Sequence, residues 1–82
     1  MTPKQFKAWR RAHSLKQKEA AEALGLKKRM IQYYEKGEKN KKPIEIPKAV
    51  RLACFAISLG IDDFNGEKIT KLVQNPDKIA SE

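Results

Sequence analysis

The sequence predicts an all-α domain of five short helices. Three observations predict this class: apolar residues recur at helical spacing, strong helix formers fill the intervening positions, and glycine or proline stands at most breaks. A chain of 82 residues has room for one domain. We place it at residues 1–66, followed by a C-terminal helix and tail at residues 67–82. A chain this short buries only about 60% of its unfolded surface, so a partner subunit would add stability.

A capping box opens the first helix. Residues 2–5 read Thr-Pro-Lys-Gln, and proline in the first turn costs nothing because its missing N–H would have no partner there. Phe6, Trp9 and His13 follow at helical spacing and form one apolar, aromatic face. We expect this helix to end near Ser14.

The second helix is short and rich in alanine. It covers residues 17–24, all of which are strong helix formers, and Gly25 suits the left-handed conformation that ends a helix. Small side chains at Ala20 and Ala21 allow another helix to approach closely. The tight turn after the second helix is expected to send the third across it at a steep angle.

The third helix has two distinct faces. It runs over residues 27–36 or 28–36, and Gly37 supplies its C-terminal cap. Ile31, Tyr34 and Glu35 follow the i, i+3, i+4 spacing of an inward face. Projecting outward are Lys28, Arg29, Gln32 and Tyr33.

The remainder of the chain predicts a loop and two further helices. Residues 38–46 are rich in lysine and contain Asn40 and Pro43, a composition that favours an exposed loop. A fourth helix at residues 47–59 carries few polar residues, so one side can pack in the core while another needs a partner. A weaker fifth helix is expected at residues 67–74.

Charge is distributed unevenly along the chain, whose net charge is +8. Residues 1–48 hold 14 Lys and Arg against 5 Glu, whereas residues 49–82 hold 4 against 5 Asp and Glu. A basic half joined to a near-neutral half is typical of a nucleic-acid-binding face attached to a packing or assembly segment. The alternative is a basic surface that is merely solvated.

Cysteine content and hydropathy suggest the compartment. Cys54 is the only cysteine and cannot form an internal disulfide, and no secretory leader precedes the first helix, so we expect a cytoplasmic protein. The longest apolar stretch, at residues 52–61, is well short of the roughly 20 residues that a membrane span needs. We therefore expect no membrane partner.

Across the second and third helices the residues read Gln17-x3-Ala21-x2-Leu24-Gly25-Leu26-x4-Ile31-x2-Tyr34-Glu35-x-Gly37. This pattern resembles the helix-turn-helix of Cro and the phage repressors, the xenobiotic-response-element (XRE) family of prokaryotic regulators. The resemblance covers about residues 3–60 and implies a five-helix, lambda-repressor-like domain that binds duplex DNA. It implies a transcriptional regulator, most often a repressor, that reads an inverted-repeat operator as a homodimer.

The motif positions also have physical reasons of their own. Ala21 must be small where the second and third helices cross, and Gly25 must turn the chain. Aliphatic and aromatic side chains then hold the two helices rigidly together. This rigid packing fixes the orientation of the third helix relative to the rest of the domain. A helix of this width fits the major groove, and its N-terminal residues reach deepest.

Two groups of side chains are expected to contact DNA. Arg29 or Lys28 can donate to O6 and N7 of guanine, and Gln32 can pair with adenine or a phosphate. The expected base contacts are Lys27, Lys28, Arg29, Gln32 and Tyr33. The expected phosphate contacts are Lys16, Gln17, Lys18, Lys36, Lys39, Lys41 and Lys42. Met30, beside the outward face, is expected to fill the core rather than touch a base.

Lysine stands where a capping side chain is usual at two helix starts, Lys16 and Lys27. A cation there opposes the helix dipole and gives up a cap worth about 1 kcal/mol unless an anion arrives. A DNA phosphate would be such an anion. An error of one residue in the expected helix starts would explain the two lysines equally well.

The resemblance further implies an ion pair between Arg10 and Glu35, and a role for Gln17 in bracing the third helix. The pair is sound chemically, because an inward carboxylate needs a cation. We therefore assign Arg10 a structural role rather than a DNA contact.

Assembly is expected through the fourth helix and the C-terminal segment. The candidate interface residues are Phe55, Leu59, Ile61, Phe64, Ile69 and Leu72. Two copies would place their recognition helices about 34 Å apart, one turn of DNA. The main alternative is an antitoxin or another interaction module of the same fold whose principal partner is a protein.

Neither an enzyme nor a metal site is expected. His13 is the only histidine, no nucleophile has a neighbouring base, and the acidic residues lack ligand spacing. Asp62 and Asp63 are expected to cap the last helix, since a calcium site would need several more oxygens. We expect no cofactor.

Overall fold

Four helices and one short hairpin make up residues 1–66, the part of the chain that this computed structural model describes. In order they are α1 (Pro3–Ala12), α2 (Gln17–Leu24), α3 (Lys28–Lys36), β1 (Glu38–Lys39), β2 (Lys42–Pro43) and α4 (Lys48–Ser58). The expected all-α class is confirmed, with the hairpin as its one addition in this part of the chain. The expected fifth helix at residues 67–74 lies outside the described residues.

The capping box of α1 forms as the sequence predicts. Thr2 Oγ1 accepts a hydrogen bond from Gln5 N at 3.1 Å, and Gln5 Oε1 accepts one from Thr2 N at 2.8 Å. The helix ends at Ala12, two residues before the expected Ser14. Ser14 takes a positive φ of 55°, a left-handed conformation that no helix can continue through.

A single core lies where the four helices meet, with Ala21 contributed by α2. Phe6 and Ile31 are fully buried, and the ring of Phe6 meets that of Tyr34 edge to face at 5.6 Å. Cys54 of α4 closes the other side, and burial raises the pKa of its thiol to about 11. The thiol therefore stays protonated at neutral pH and acts as a small apolar core group.

The C-terminal end of α4 is attached to α1 by a polar cluster. The indole N–H of Trp9 lies 3.1 Å from the carbonyl oxygen of Cys54 and 3.0 Å from Ser58 Oγ. His13 Nε2 lies 3.1 Å from the same hydroxyl, and its ring is 5.6 Å from that of Trp9. His13 is thus an exposed boundary residue with a polar partner, on the aromatic face where the sequence places it.

The expected loop at residues 38–46 is instead a hairpin followed by an anchored segment. Strands β1 and β2 pair antiparallel, with Lys39 opposite Lys42. Ile46 is only 5% exposed, and Ile44 packs against the core. These two alternating isoleucines hold the chain against the body of the domain, so the prediction of an exposed loop was wrong from Ile44 onward.

Gly37 allows α1 and α3 to approach each other. Its φ of 83° is in the left-handed region, and a Cβ atom there would lie 3.0 Å from Pro3 Cγ. Any other residue would therefore meet both backbone strain and a close contact with the start of α1. In residues 1–66 no helix has the length and hydropathy of a membrane span.

Candidate nucleic-acid interface

The helix pair α2–α3 is joined by only three residues, 25–27. Gly25 turns the chain at a φ of 70°, and Leu26 N donates to Ala21 O at 2.8 Å. Ala20 is fully buried and Ala21 is 4% exposed. Both positions therefore have the small, buried side chains that a close contact between helices requires. The turn is tied back to α2 by a hydrogen bond, which restricts the orientation of α3.

The exposed face of α3 carries most of the residues expected to contact bases. Lys27, Lys28, Arg29 and Gln32 are all exposed. None of these three cations forms an ion pair with any residue in 1–66. Tyr33 is half-buried at the edge of this face, and Met30 packs against the core as expected. The face thus presents free cations and an amide at the start of the helix.

Six of the seven residues expected to contact phosphate are exposed lysines in two groups, and the seventh, Gln17, is half-buried. Lys36 Nζ lies 3.3 Å from Glu38 Oε1 in an exposed pair, and Lys39 Nζ lies 5.6 Å from the centre of the Tyr33 ring. The second group has no acidic partner in the part of the chain described. It comprises Lys16, Lys18, Lys41 and Lys42, all of them exposed.

An ion pair between α1 and α3, joined by a hydrogen bond from α2, restricts the position of α3. Arg10 of α1 binds Glu35 of α3 at two points, with Nε 2.6 Å from Oε2 and Nη2 2.9 Å from Oε1. Its third nitrogen donates to Leu15 O at 2.9 Å, and Gln17 Nε2 of α2 approaches Glu35 Oε1 at 3.4 Å. Hydrogen bonding to Glu35 raises the pKa of Arg10 against the opposing effect of burial.

This network is largely screened from solvent, because the Arg10 and Glu35 side chains are 11% and 7% exposed. Bidentate geometry gives the pair directional strength that a single contact lacks. The pair implied by the resemblance is therefore present, and it connects the core helix α1 to the helix that carries the exposed cations.

The two helices whose N-cap residue is lysine have unusual N-termini in the folded chain as well. Lys16 and Lys27 are the N-cap residues of α2 and α3, and neither side chain accepts a capping hydrogen bond. The helix starts agree with the expected ones, so an error of one residue does not explain the lysines. Glu19 compensates in α2, since its carboxylate accepts from Lys16 N at 2.8 Å. In α3 no side chain takes that role.

A second surface, which we call the α4 patch, is apolar. Its members on α4 and just beyond it are Leu52 (59% exposed), Phe55 (65%), Leu59 (63%), Ile61 (37%) and Phe64 (60%). Leu52 was not among the expected interface residues, although its i, i+3, i+7 spacing with Phe55 and Leu59 places it on the same helix face. Ile69 and Leu72, also expected at an interface, lie outside the described residues.

Among the described residues no three His, Cys, Asp or Glu side chains are grouped to hold a metal ion. The free cations of α3 are suited instead to anionic partners with hydrogen-bond acceptors. Comparison with known families gives one finding: a model described as helix-turn-helix matches residues 6–55, which is 50 of the 82 residues. No curated protein matches the chain, and no solved structure does.

Proposed function

Because the chain belongs to the Cro-type (XRE) helix-turn-helix family of DNA-binding regulators, we propose that it is a cytoplasmic repressor that binds an inverted-repeat operator as a homodimer. The observation that carries this proposal is the cluster of exposed cations at the start of α3, which have no ion-pair partner within residues 1–66. They stand on a helix whose orientation is restricted by the turn at Gly25 and by Glu35.

In the proposed complex α3 lies in the major groove, where each base pair presents a distinct pattern of donors and acceptors. Arg29 or Lys28 donates to guanine, Gln32 pairs with adenine, and Lys27 and Tyr33 contact the edges of the same site. The uncapped N–H groups at the start of α3 add a favourable site for a phosphate. The remaining proposed phosphate contacts are Lys16, Gln17, Lys18, Lys36, Lys39, Lys41 and Lys42.

The base-reading role predicts the effect of Arg29→Ala. Loss of a bidentate contact should lower discrimination at one base position by about 1–3 kcal/mol while preference elsewhere in the site is kept. Affinities for a panel of single-base variants of the selected operator would measure this. Lys18→Ala is the matched control, since loss of a phosphate contact should weaken binding to every variant alike. If Arg29→Ala ranked all variants as the parent does, Arg29 would not read a base.

The proposed dimer uses the α4 patch, because large apolar side chains that are exposed to water are typical of a protein interface. A homodimer would also place its two α3 helices on the two half-sites of the operator. Phe55→Glu should therefore give a monomer in light scattering. It should also weaken operator binding by about 10²-fold or more, as each copy then binds without the other. Ala8→Glu adds the same charge at an exposed position of α1 and should leave both properties unchanged. If the Phe55→Glu variant remained a dimer in light scattering, the proposed interface would be wrong.

An interaction module such as an antitoxin is the second candidate, and the α4 patch is also the observation that favours it. The two functions differ in what the isolated chain does. A repressor on its own selects one DNA sequence from a random duplex pool, whereas the absence of any selected sequence favours the interaction module.

A further inference from the structure

The α4 patch has a cation at one end. Lys48 is the first residue of α4 and is exposed. Steps of four, three and four residues place it on the same helix face as Leu52, Phe55 and Leu59. Lys48 forms no ion pair with any residue in 1–66. The apolar face is therefore bordered, where the helix begins, by a positive charge that no acidic residue in this part of the chain neutralises.

That end of α4 also lacks a capping group. Its N-cap residue is Pro47, which provides no side-chain hydrogen bond, and the first turn holds no acidic residue. Glu45, the nearest acidic residue before the helix, makes no ion pair with Lys48. The first N–H groups of a helix carry partial positive charge. A carboxylate placed at the start of α4 would therefore be attracted both by these groups and by Lys48.

The other end of the α4 patch is acidic. Asp62 and Asp63 are exposed just after the helix, and neither forms an ion pair in the part of the chain described. The chain turns back at Gly60, whose φ is 82°, and Ile61 N donates to Ala56 O at 2.9 Å. This turn directs the two aspartates back along the side of α4.

The same two aspartates line an otherwise apolar cavity of about 210 Å³. Its walls include Ala53, Ala56 and Ile57 of α4, and no basic residue lines it. We call this site, with Asp62 and Asp63, the acidic cavity. A lysine side chain has an apolar stem and a charged head. The acidic cavity is therefore complementary to a lysine supplied by another molecule.

We propose that two copies of the chain pair their α4 helices antiparallel, with Lys48 of each subunit bound at the acidic cavity of the other. A two-fold axis beside Phe55 sets Leu52 opposite Leu59 of the partner subunit. The first turn of each α4 then lies near the partner's acidic cavity, and the dimer contains the contact twice. The carboxylates supply what the start of α4 lacks, which is a counter-charge for Lys48 and an acceptor for the first N–H groups.

The charges select the antiparallel orientation. A parallel pair would set Lys48 beside its own copy and the two acidic cavities beside each other, so like charges would meet at both ends. The apolar face alone does not distinguish the two orientations. This inference rests on the proposed homodimer and adds the contact that fixes its orientation and lets one copy recognise another. Because the orientation of the dimer sets the spacing of its two α3 helices, the same contact sets which half-site spacing is read.

Charge reversal tests the contact. Lys48→Glu changes both contacts from attraction to repulsion, so the dissociation constant of the dimer should rise at least about 10-fold. The variant should melt at or above the temperature of the parent, because glutamate suits the first turn of a helix. The double variant Asp62→Lys, Asp63→Lys should weaken the dimer in the same way. Lys7→Glu makes the same change of net charge on α1 and should leave the dissociation constant unchanged.

The two weakened variants should pair with each other. In an equimolar mixture unlike charges face each other at both contacts, so a heterodimer should form at concentrations where each variant alone is a monomer. A chain that carries all three substitutions should dimerise as the parent does, for the same reason. Sedimentation velocity would measure the dimer in each sample, and native mass spectrometry would identify the heterodimer.

The outcomes separate this contact from the proposed function. If Lys48→Glu dimerises as the parent does, the contact is wrong. It is also wrong if the mixture and the triple variant stay monomeric with the melting temperature of the parent. In both cases the proposed homodimer is judged independently by Phe55→Glu. If the parent chain is itself a monomer, the proposed homodimer fails and this contact fails with it.

Discussion

Arg10→Ala is expected to lower the free energy of unfolding by about 3–5 kcal/mol. Among residues 1–66, the substitution leaves the Glu35 carboxylate, whose side chain is 7% exposed, with only the Gln17 amide at 3.4 Å. A buried charge without its partner costs far more than the loss of an exposed pair, which is worth about 0–1 kcal/mol. Small domains have only about 5–15 kcal/mol in total, so much of the variant would be unfolded near 37 °C. Denaturant unfolding followed by circular dichroism would measure the loss.

The double variant Arg10→Met, Glu35→Leu is the matched control. It removes both charges and fills the space with apolar groups, so it should recover most of the stability that Arg10→Ala loses. Its DNA affinity should stay below that of the parent, because the directional link between α1 and α3 is gone. A loss below about 1 kcal/mol in Arg10→Ala would mean that the pair behaves as a solvated surface contact.

DNA affinity should depend steeply on salt. A protein that makes 6–10 phosphate contacts loses about 10³- to 10⁵-fold in affinity between 50 and 200 mM salt, and six lysines of each subunit are proposed for such contacts. Replacing Lys16, Lys18 and Lys42 by glutamine should flatten the slope of log K against log salt by about 2.7 per subunit. These three lysines are exposed and have no acidic partner among residues 1–66.

Three exposed cations of α1 provide the control for net charge: Lys4, Lys7 and Arg11. Replacing them by glutamine changes the net charge by the same amount on a surface that the proposed interface does not use. The slope should then stay near that of the parent. If the salt slope flattened equally in both triple variants, the DNA would be attracted by the overall charge of the protein. The assignment of specific phosphate contacts would then be wrong.

The local sequence predicted the α2–α3 unit well, because the signals that define it are short-range. Eight strong helix formers followed by Gly25 define α2, whose observed bounds match the expected ones. Gly37 ends α3 where a left-handed cap was expected. The exposure of Arg29 and the burial of Ile31 follow from helical periodicity alone.

What the sequence did not predict depends on contacts between distant residues. The hairpin has strands of only two residues, and its turn has lysine in place of the expected glycine, so the usual hairpin signal is missing. Burial of Ile46 requires knowledge of the core that it meets. The hydrogen bonds from Trp9 to Cys54 and Ser58 join residues 45 and 49 positions apart, which periodicity cannot relate.

The lysine caps show how fold and site are linked in this chain. Lys16 gains a substitute partner in Glu19, whereas Lys27 has none, and Lys27 is the one at the start of the proposed recognition helix. An uncapped helix start beside Lys28 and Arg29 is favourable only when an anion is present. The folded chain therefore leaves this local electrostatic cost where the proposed DNA contact would offset it.

Selection of bound sequences from a random duplex pool tests the central claim most directly, since it asks whether the exposed face of α3 reads bases. The parent chain should enrich an inverted repeat whose half-sites are about 10–10.5 base pairs apart. A chain carrying Ala at Lys28, Arg29 and Gln32 should lose that enrichment while keeping its fold. If the parent enriched no sequence, or if the triple variant enriched the same repeat, α3 would not be the element that reads DNA.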